Sequence, residues 1–435
     1  MAELMVTPNH SLVDEPLEIQ VHGLEPGEIV VLQASLVDLK GMQWASWAKF
    51  RAGSDGSLDL ATAVPLEGSY DWPDPMGLVW SMELTDQEHK MVSFIPFGIE
   101  PHTIRFCLKT LDGTEITQEV QRIWMKTGVQ RQVVRENGLF GTLFLPAGAG
   151  PHPALILVSG SGGGLSETRA ALFASRGFAT LALAYFNYES LPKGLVNIPL
   201  EYFKTAIQFL QDHPHINAQA IGVTGGSRGG ELSLLLGATF PQIHAVAAYV
   251  PSGLIWSGFG GEAEGPCAAW TWHGEPLPWI PEVVNFVEGI EEMIEKGSPI
   301  PLTPGFLRSV KAADPQVLEA ATIPVENTNG AILLISGEDD QMWPSTFLSQ
   351  LVVERLERRQ FPHSFRHISY PNAGHAILTP ITPLPPPHSI HPVDQNDYAY
   401  GGLPKEHAFA TSDAWQQTLF FFGEHLQQPQ IGAKQ

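Results

Sequence analysis

A serine in a glycine-rich turn is the first residue of this chain whose surroundings predict chemistry. Residues 220–232 read AIGVTGGSRGGEL, so a short apolar strand runs into Gly-x-Ser-x-Gly at Ser227 and a helical segment follows. A sharp strand-to-helix turn of this kind presents a nucleophilic serine, and the residues beside it must be small. The motif alone is a weak signal in a chain with 42 glycines. The strand and the helix favour a nucleophile over an ordinary turn with a capping serine.

Two aspartates and a histidine that follow Ser227 complete the candidates for acyl transfer. A serine hydroxyl is a poor nucleophile at neutral pH, so it needs a base, and the base needs an acid that orients it. His375, one of 16 histidines, ends an Asn-Ala-Gly-His run just after the last apolar strand and is the candidate base. Asp339 and Asp340 both follow the apolar strand 331–335 and compete as the acid. This chain order, serine then acid then histidine, is the one that hydrolases with a doubly wound sheet use.

Backbone N–H groups near Ser227 are predicted to hold the negative oxygen of an acyl-transfer intermediate. One donor is the N–H of Arg228, the residue after the nucleophile. The second is expected in the loop 159–164, Ser-Gly-Ser-Gly-Gly-Gly, which resembles the glycine-rich oxyanion loops of esterases. Ser161 and Gly162 are both candidates for this donor. The alternative is a phosphate cradle, but the loop lacks the Lys-Ser/Thr of a P-loop and the spacing of a dinucleotide fingerprint.

The elements that must position these residues begin near Arg131, where strands and helices start to alternate. Near-continuous apolar strands such as 154–158 are typical of a mostly parallel sheet that helices cover on both faces. The predicted strands are 132–134, 139–145, 154–158, 179–184, 220–224, 245–250, 331–335 and 364–369, and the predicted helices are 168–176, 200–212, 228–240 and 412–427. This pattern predicts an α/β-hydrolase fold with a doubly wound sheet, whose sites lie at the carboxyl ends of the strands.

Residues 1–128 follow a different pattern and are predicted to form an all-β domain. Apolar and polar residues alternate over 17–21, 30–36 and 104–108, and turn signals separate these runs. Short alternating strands are typical of an immunoglobulin-like sandwich. The predicted organisation is a β-sandwich over 1–128 followed by a catalytic α/β-hydrolase domain over 129–435. The first domain shows no catalytic constellation, so a role in packing or in shaping the substrate site is favoured over an independent binding module.

Two irregular stretches interrupt the second domain, and each allows two interpretations. Residues 251–327 contain four tryptophans, several prolines and one predicted helix at 281–296, and they form either a cap over the site or a packed loop. Residues 379–402 contain three consecutive prolines and follow His375, so they form either an edge of the pocket or a polyproline surface loop.

Composition limits the classes of partner. With 46 acidic and 24 basic residues among 435, the formal net charge is −22, which argues against nucleic acid and against an anionic membrane surface. The two cysteines form no disulfide framework or metal cluster, and they fit a reducing, cytoplasmic location. The amino terminus does not resemble a signal peptide, and no apolar run is long enough to span or insert into a bilayer.

Beyond the catalytic motifs, the chain resembles the acyl-CoA thioesterase and bile acid-CoA:amino acid N-acyltransferase (BAAT) family. The segments that carry the resemblance are 12–17 (LVDEPL), 74–80 (DPMGLVW), 176–188 (RGFATLALAYFNY), 191–193 (LPK), 400–405 (YGGLPK), His407 and 413–415 (DAW). The likeness spans almost the whole chain. It implies an amino-terminal β-sandwich, a carboxyl-terminal α/β-hydrolase and a triad that falls on Ser227, Asp340 and His375. Resemblance to other hydrolases likewise favours Asp340 over Asp339, which is left to bond turn N–H groups.

The chain departs from the family pattern at two positions. Bile acid-conjugating members use cysteine as the nucleophile, whereas this chain has Ser227. An oxygen ester is captured by amines less readily than a thioester, so water becomes the favoured acceptor. The second departure is Arg228, where the family often has lysine, and this changes the geometry of the cation.

The resemblance implies a serine acyl-CoA thioesterase that needs no metal or redox cofactor and binds CoA as part of its small-molecule substrate. Lys193, Arg169 and Arg228 are candidate partners for the CoA phosphates, and the alternative is that all three are ordinary surface or helix charges. A carboxylesterase or dienelactone-type hydrolase, or an acyltransferase with an amine acceptor, would use the same triad. A non-catalytic binding protein on a hydrolase scaffold is disfavoured because every triad candidate is present. The residues determine neither the acyl-chain length nor the oligomeric state.

Overall fold

The computed structural model describes residues 1–86, 93–94, 98–261, 265–281, 287–377 and 379–427. They fall into two compact units, Met1–Lys126 with Thr379–Pro386, and Thr127–Leu378 with Pro387–Gln435. The predicted domain boundary at residue 128 assigns Thr379–Pro386 to the second domain, whereas the structure groups these residues with the first unit. The boundary itself stays a prediction. The last residues of the predicted second domain, 428–435, lie outside the described residues.

The first unit is built almost entirely of strands. They are β1 (Glu3–Thr7), β2 (His10–Leu12), β3 (Glu18–His22), β4 (Ile29–Val37), β5 (Gln43–Arg51), β6 (Leu58–Asp59), β7 (Glu67–Gly68), β8 (Glu83–Leu84), β9 (His102–Lys109) and β10 (Glu115–Ile123), with one short helix, α1 (Gly77–Trp80). One sheet has the order β1-β3-β6, and the other has β2-β10-β9-β4-β5-β7 with β8 also on β5. Buried residues alternate along β4 and β5, as the sequence pattern predicts for strands with one face in a core. The prediction of an all-β amino-terminal region is confirmed.

The second unit alternates strands and helices. Its strands are β11 (Gln130–Val134), β12 (Phe140–Leu145), β13 (His152–Val158), β14 (Ala179–Ala184), β15 (Ile198–Pro199), β16 (Ile216–Gly226), β17 (Ile243–Tyr249), β18 (Trp270–Trp272), β19 (Glu275–Pro276), β20 (Ala331–Gly337), β21 (Phe365–Tyr370), β22 (His388–Ile390) and β23 (Asp397–Ala399). Its helices are α2 (Glu167–Ser175), α3 (Leu200–Asp212), α4 (Arg228–Thr239), α5 (Ile290–Lys296), α6 (Thr303–Ala312), α7 (Pro315–Ala321), α8 (Ser345–Arg358) and α9 (Pro404–Leu426), and Val325–Asn327 form a 3₁₀ turn.

The main sheet of this unit has the strand order β11-β12-β14-β13-β16-β17-β20-β21. The β11–β12 and β12–β14 pairs are antiparallel, and the remaining pairs are parallel. Every residue of β14 and of β20 is buried, because helices cover both faces of the sheet. The α/β-hydrolase prediction is confirmed. The carboxyl ends of β16, β20 and β21 share one edge, and Ser227, Asp340 and His375 follow them.

The helices of the irregular stretches differ from the prediction. The helix predicted over 281–296 is present as α5, Ile290–Lys296, and residues 282–286 lie outside the described part. Helices α6 and α7 were not predicted, and α9 begins at Pro404 rather than at residue 412. Each of these three helices has a proline in its first turn, where the missing N–H costs nothing.

No helix among the described residues combines the length and the apolar character needed to span a bilayer.

Candidate active site

Ser227 occupies a strained turn between β16 and α4. Its φ is 59° and its ψ is −124°, a conformation that residues with a side chain rarely adopt. The strain is held by backbone hydrogen bonds, because the Ser227 N–H donates to the Tyr249 carbonyl (2.9 Å) and the Ser227 carbonyl accepts from Gly230 and Glu231 (2.8 and 3.0 Å). The turn therefore holds the serine as the Gly-x-Ser-x-Gly motif predicts.

The glycines that flank Ser227 are required by close backbone packing. A Cβ atom at Gly225 would lie 2.6 Å from the Gly229 carbonyl oxygen, and one at Gly229 would lie 2.5 Å from the Ser159 carbonyl oxygen. Both distances are shorter than van der Waals contact, and backbone cannot move away as a flexible side chain can. A larger residue at Gly225 or Gly229 would force strand β16, helix α4 and the 159–164 loop apart.

Asp340 and His375 form a buried pair. The His375 Nδ1 lies 3.0 Å from Oδ1 and 2.9 Å from Oδ2 of Asp340, and the side chains are 9% and 1% exposed. Oδ1 also accepts the N–H groups of Met342 (3.0 Å) and Trp343 (3.2 Å), which fix the carboxylate in place. A carboxylate at Nδ1 favours the tautomer with the proton on that nitrogen, so Nε2 is left to act as a base.

The neighbouring Asp339 points to a different partner. Its Oδ2 accepts the Gly402 N–H at 2.8 Å, and its Oδ1 lies 3.4 Å from the Gln341 amide nitrogen. Of the two candidate acids, the structure therefore brings only Asp340 to His375. Asp339 ties the turn at residues 401–402 to the carboxyl end of β20.

The loop that carries His375 is held from the opposite side by the segment before α9. The His375 N–H donates to the Tyr400 carbonyl at 2.8 Å, and the two rings stack with centroids 6.1 Å apart. The Gly374 N–H donates to Nδ1 of His407 at 3.2 Å. Because His407 is buried, its pKa lies below its ordinary value, and a neutral ring can accept that hydrogen bond. Sequence reasoning assigned no role to His407, since its partner lies far away in the chain.

The glycine-rich loop lies directly against the serine turn. A Cβ at Gly160 would lie 2.9 Å from the Gly226 carbonyl oxygen and 3.4 Å from Ser227 Cβ. The Gly163 N–H donates to Gly160 O (3.1 Å) and the Gly164 N–H to Phe186 O (3.2 Å). Among the described residues, the N–H groups of Ser161, Gly162 and Arg228 donate to no protein acceptor. These are the three N–H groups that the sequence nominated as oxyanion donors, and that role stays a prediction.

Ser227 lines a cleft whose volume, including the solvent at its opening, is about 740 Å³. The remaining lining residues are Ser161, Arg228, Trp256, Ser257, Gly258, Phe259, Leu302, Phe306, Met342, Trp343, His391, Asp394 and Tyr398. The stretch 251–327 thus contributes an aromatic wall, which favours the cap interpretation. The residues 391–398 contribute a polar wall, which favours the pocket-edge interpretation. The sequence analysis did not single out His391, Asp394 or Tyr398 within this stretch, because the irregular, proline-flanked segment has no periodicity that could place individual side chains.

The side chain of Arg228 turns into the protein. Its Nη1 donates to Glu231 (2.9 Å), its Nη2 donates to the carbonyls of Trp256 and Ser257 (3.1 and 3.2 Å), and Glu231 also accepts from the indole of Trp270 (2.8 Å). Burial raises the pKa of Glu231 to about 7, although Arg228 and Trp270 act in the opposite direction. The pair ties the first turn of α4 to the aromatic wall of the cleft.

We expect Arg228→Ala to lower the free energy of unfolding by about 3 kcal/mol or more at pH 8, because it leaves Glu231 buried without its cation. The loss should be smaller at pH 5. A carboxyl with a raised pKa stabilises the fold while protonated, and that contribution disappears as pH rises through its folded pKa. Denaturant unfolding at both pH values measures the effect. Lys296→Ala, which breaks the exposed pair with Glu292, is the control and should change stability by less than about 0.5 kcal/mol. If Arg228→Ala and Lys296→Ala lowered the free energy of unfolding equally, Arg228 would not be the cation that stabilises buried Glu231.

Two of the three cations nominated for the CoA phosphates are buried and already engaged. Arg228 is bound as described above. Arg169 is 3% exposed, and its guanidinium lies 4.2 Å from the centroid of the Tyr249 ring. Lys193 is exposed, so it is the one nominated side chain that a solvent-borne phosphate could reach. The nomination of Arg169 and Arg228 is therefore wrong, because helices α2 and α4 turn these residues towards the interior.

Comparison with known proteins places this chain among its relatives. Residues 198–428 match the family model described as BAAT / Acyl-CoA thioester hydrolase C terminal, and residues 14–136 match Acyl-CoA thioester hydrolase/BAAT N-terminal region. The peroxisomal succinyl-coenzyme A thioesterase of Mus musculus is 34% identical over 98% of this chain and 97% of its own. The mitochondrial acyl-coenzyme A thioesterase 2 of Mus musculus is 36% identical over 98% and 90%. Among solved structures, the acylaminoacyl peptidase of Pyrococcus horikoshii aligns with a TM-score of 0.43 and 12% identity, covering 96% of this chain and 76% of that chain.

The sequence resemblance is thus confirmed in both halves of the chain. One family model covers most of the all-β region, a second covers most of the unit that holds Ser227, Asp340 and His375, and the relatives align from end to end. The chain belongs to the acyl-CoA thioester hydrolase/BAAT family.

Proposed function

We propose that this protein is a serine acyl-CoA thioesterase, which hydrolyses acyl-CoA to a free acid and CoA through an acyl-enzyme. The observation that carries the proposal is the arrangement at one sheet edge. Ser227 stands on a strained turn in the wall of an aromatic cleft, and the buried His375–Asp340 pair follows β20 and β21 at the same edge of the sheet. This is the set of groups that nucleophilic acyl transfer needs. Family membership makes a thioester of CoA the favoured substrate.

In the first half-reaction, Ser227 Oγ attacks the thioester carbonyl while His375 Nε2 takes its proton. Asp340 holds the imidazole in the required tautomer and stabilises the imidazolium that forms. The N–H of Arg228 and the N–H of Ser161 or Gly162 stabilise the oxyanion. The tetrahedral intermediate then collapses, the C–S bond breaks, and His375 returns the proton to the CoA thiolate.

In the second half-reaction, water replaces CoA. His375 removes a proton from the water as it attacks the ester carbonyl of the acyl-enzyme, and the proton passes to Ser227 Oγ as the acid leaves. The mechanism uses only this chain and water, so we propose that no metal or cofactor takes part and that CoA binds only as part of the substrate. An oxygen ester reacts with amines less readily than a thioester, so water is the proposed acceptor rather than an amino acid.

The lining of the cleft favours acyl groups without a terminal carboxylate. The side chains of Trp256, Phe259, Phe306 and Trp343 offer apolar area, and the acidic residue Asp394 also lines the cleft. Apart from the engaged Arg228, the described lining residues include no lysine or arginine that could pair with a second carboxylate. A neutral, apolar acyl chain gains burial here, whereas a dicarboxylic acyl group meets a like charge. The proposed substrate therefore differs from the one in the name of the Mus musculus relative, which is a succinyl-coenzyme A thioesterase.

Thiol release from a panel of acyl-CoAs, measured in EDTA, tests the proposal. The panel contains short, medium and long saturated chains together with succinyl-CoA. We expect release from apolar acyl-CoAs with kcat/KM at least about tenfold higher than for succinyl-CoA, a difference of about 1.4 kcal/mol that combines the lost burial of apolar area with the repulsion between like charges. The matched esters of p-nitrophenol and the addition of glycine or taurine test the two alternatives. Hydrolysis of esters without thiol release would favour a carboxylesterase, and formation of an acyl-glycine or acyl-taurine would favour an acyltransferase.

A cytoplasmic location is part of the proposal, together with a small-molecule substrate, no nucleic acid partner and no membrane insertion. Both cysteines are free thiols, which fits a reducing compartment. The relatives bear the names of peroxisomal and mitochondrial proteins. Fractionation of cells that express the full chain, with matrix and peroxisomal markers, distinguishes these compartments.

A further inference from the structure

A second serine, histidine and aspartate lie together in the wall of the Ser227 cleft. Ser161 Oγ lies 3.0 Å from Nε2 of His391, and Nδ1 of His391 lies 3.3 Å from Oδ1 of Asp394. His391 is 4% exposed, and all three residues line the cleft. The proposed mechanism uses none of these three side chains, so their arrangement needs its own explanation.

Within residues 160–164 of the glycine-rich loop, Ser161 is the residue whose side chain can form a hydrogen bond that positions the backbone. Residues 160–164 read Gly-Ser-Gly-Gly-Gly, so every other position lacks a side chain. Backbone contacts hold part of the loop, since the Gly162 carbonyl accepts from the Asn187 amide at 2.9 Å. A glycine-rich segment loses much conformational entropy when it is ordered. A hydrogen bond to the Ser161 hydroxyl therefore has a large influence on where the neighbouring N–H groups point.

Asp394 acts on His391 through its charge, since its Oδ1 lies 3.3 Å from Nδ1 without forming a hydrogen bond to it. Its carboxylate accepts the Tyr398 hydroxyl (2.9 Å) and the Asn396 N–H (3.2 Å). Burial raises the pKa of Asp394, but the nearby imidazole of His391 and these two donors outweigh it and leave the pKa below its ordinary value. An ionised carboxylate beside Nδ1 favours the proton on that nitrogen. Nε2 is then an acceptor, and the Ser161 hydroxyl donates to it.

The ring of His391 is also fixed by packing. Its centroid lies 5.8 Å from that of Phe259 and 5.8 Å from that of Tyr398, both in edge-to-face contact. The imidazole is therefore held between the aromatic wall and the β22–β23 hairpin, with Nε2 directed at Ser161. A rigid acceptor of this kind positions a catalytic loop better than a solvated surface contact does.

We propose that His391 is a positioning residue of the acyl-transfer site: by accepting the Ser161 hydroxyl, it holds the loop 160–164 so that the N–H groups of Ser161 and Gly162 face the oxyanion. The inference rests on the proposed function only in taking Ser227 as the nucleophile that receives the acyl group. A second nucleophile at Ser161 is the competing interpretation of the same three residues, and the test distinguishes the two.

The test compares His391→Leu, Ser161→Ala, the double variant and His391→Gln. Two rates are measured: thiol release from acyl-CoA, and phosphonylation of Ser227 by a fluorophosphonate probe, which also needs an oxyanion hole but no CoA. Removing a whole oxyanion donor typically costs about 100-fold or more in kcat, and a misplaced donor should cost about 10- to 100-fold. We expect this fall in kcat and in the phosphonylation rate for each single variant, with KM changed by less than about threefold. The double variant should be no slower than either single variant, because both remove the same contact.

Glutamine and a nearby histidine provide the controls. In His391→Gln the side-chain amide can still accept the Ser161 hydroxyl, so most of the activity should return. His388 stands on the same hairpin, and its Nδ1 lies 2.8 Å from Asp397 on the paired strand, so this contact is made within the hairpin. His388→Leu should leave both rates near those of the wild-type protein. If His388→Leu is as slow as His391→Leu, the effect comes from the hairpin as a whole and the proposal fails.

Three further results would overturn the proposal. Additive losses in the double variant, or unchanged phosphonylation in both single variants, would show that the contact does not serve the oxyanion hole. Probe labelling of Ser161 in a folded Ser227→Ala protein would make Ser161 a nucleophile. Failure of the thioesterase proposal is recognised separately, because the wild-type protein would then react with the probe and release no CoA.

Discussion

Ser227→Ala should reduce thiol release from acyl-CoA by about 10⁴-fold or more, since it removes the nucleophile while leaving the oxyanion donors in place. The fold should survive. The hydrogen bonds at this position use the Ser227 backbone, and alanine adopts a φ of 59° with much the same strain as serine. The measurement is kcat/KM on the best acyl-CoA of the panel, with thermal unfolding and far-UV circular dichroism to show that the variant is folded.

The control for this variant keeps a nucleophile at the same position. Ser227→Cys should still form an acyl-enzyme, but as a thioester, which is more readily captured by amines. We expect it to lose part of its hydrolysis and to gain measurable transfer to glycine or taurine. Substantial thiol release by a folded Ser227→Ala protein would remove Ser227 from the mechanism and with it the proposed function.

Asp340→Asn is expected to have the second-largest effect, a fall in kcat of about 10³- to 10⁴-fold. Asparagine can still accept the N–H groups of Met342 and Trp343, so the local structure should persist. However, it no longer offers a negative charge to His375 Nδ1, and the imidazole is free to take the wrong tautomer and loses the stabilisation of its charged form. Steady-state kinetics together with unfolding curves measure this loss.

Asp339→Asn is the matched control, since the chain places an identical residue one position earlier. Asp339 accepts the Gly402 N–H, and the amide oxygen of asparagine can replace that acceptor. We expect this variant to keep activity within a few-fold of the wild-type protein. A larger loss for Asp339→Asn than for Asp340→Asn would reverse the assignment of the acid.

The chemistry around Ser227 was predictable because its signals are local. The apolar strand, the glycines and the helix lie within a short run of sequence, and each is required by the turn itself. His375 was predictable for the same reason, since it follows the last strand of a pattern that already specifies the sheet edge. The choice between Asp339 and Asp340 was different. Adjacent residues in a turn point in different directions, so composition and spacing could not separate them without the resemblance to other hydrolases.

The assignment of cations to the CoA phosphates failed for a physical reason. Arg169 and Arg228 were considered for a role that needs an exposed charge, and charged residues usually do lie at the surface. Both lie on helices that are buried on more than one side, where the charge faces a tyrosine ring or a buried carboxylate. Glu231, three residues after Arg228, is a local sign of this ion pair, but the sequence does not show that it is buried, because Tyr249 and Trp256 are supplied by other elements.

The sequence alone therefore determined the fold class, the family and the places of Ser227 and His375 at the sheet edge, because each depends on periodicity, turn chemistry or motifs that are read along the chain. Only the tertiary structure decided that Asp340 rather than Asp339 meets His375, that Arg228 supports the cap instead of binding phosphate, and that Ser161 meets His391 in the cleft. These contacts join residues far apart in the chain. Which side chains meet is set by the packing of the sheet, the helices and the irregular segments, and no local pattern encodes it.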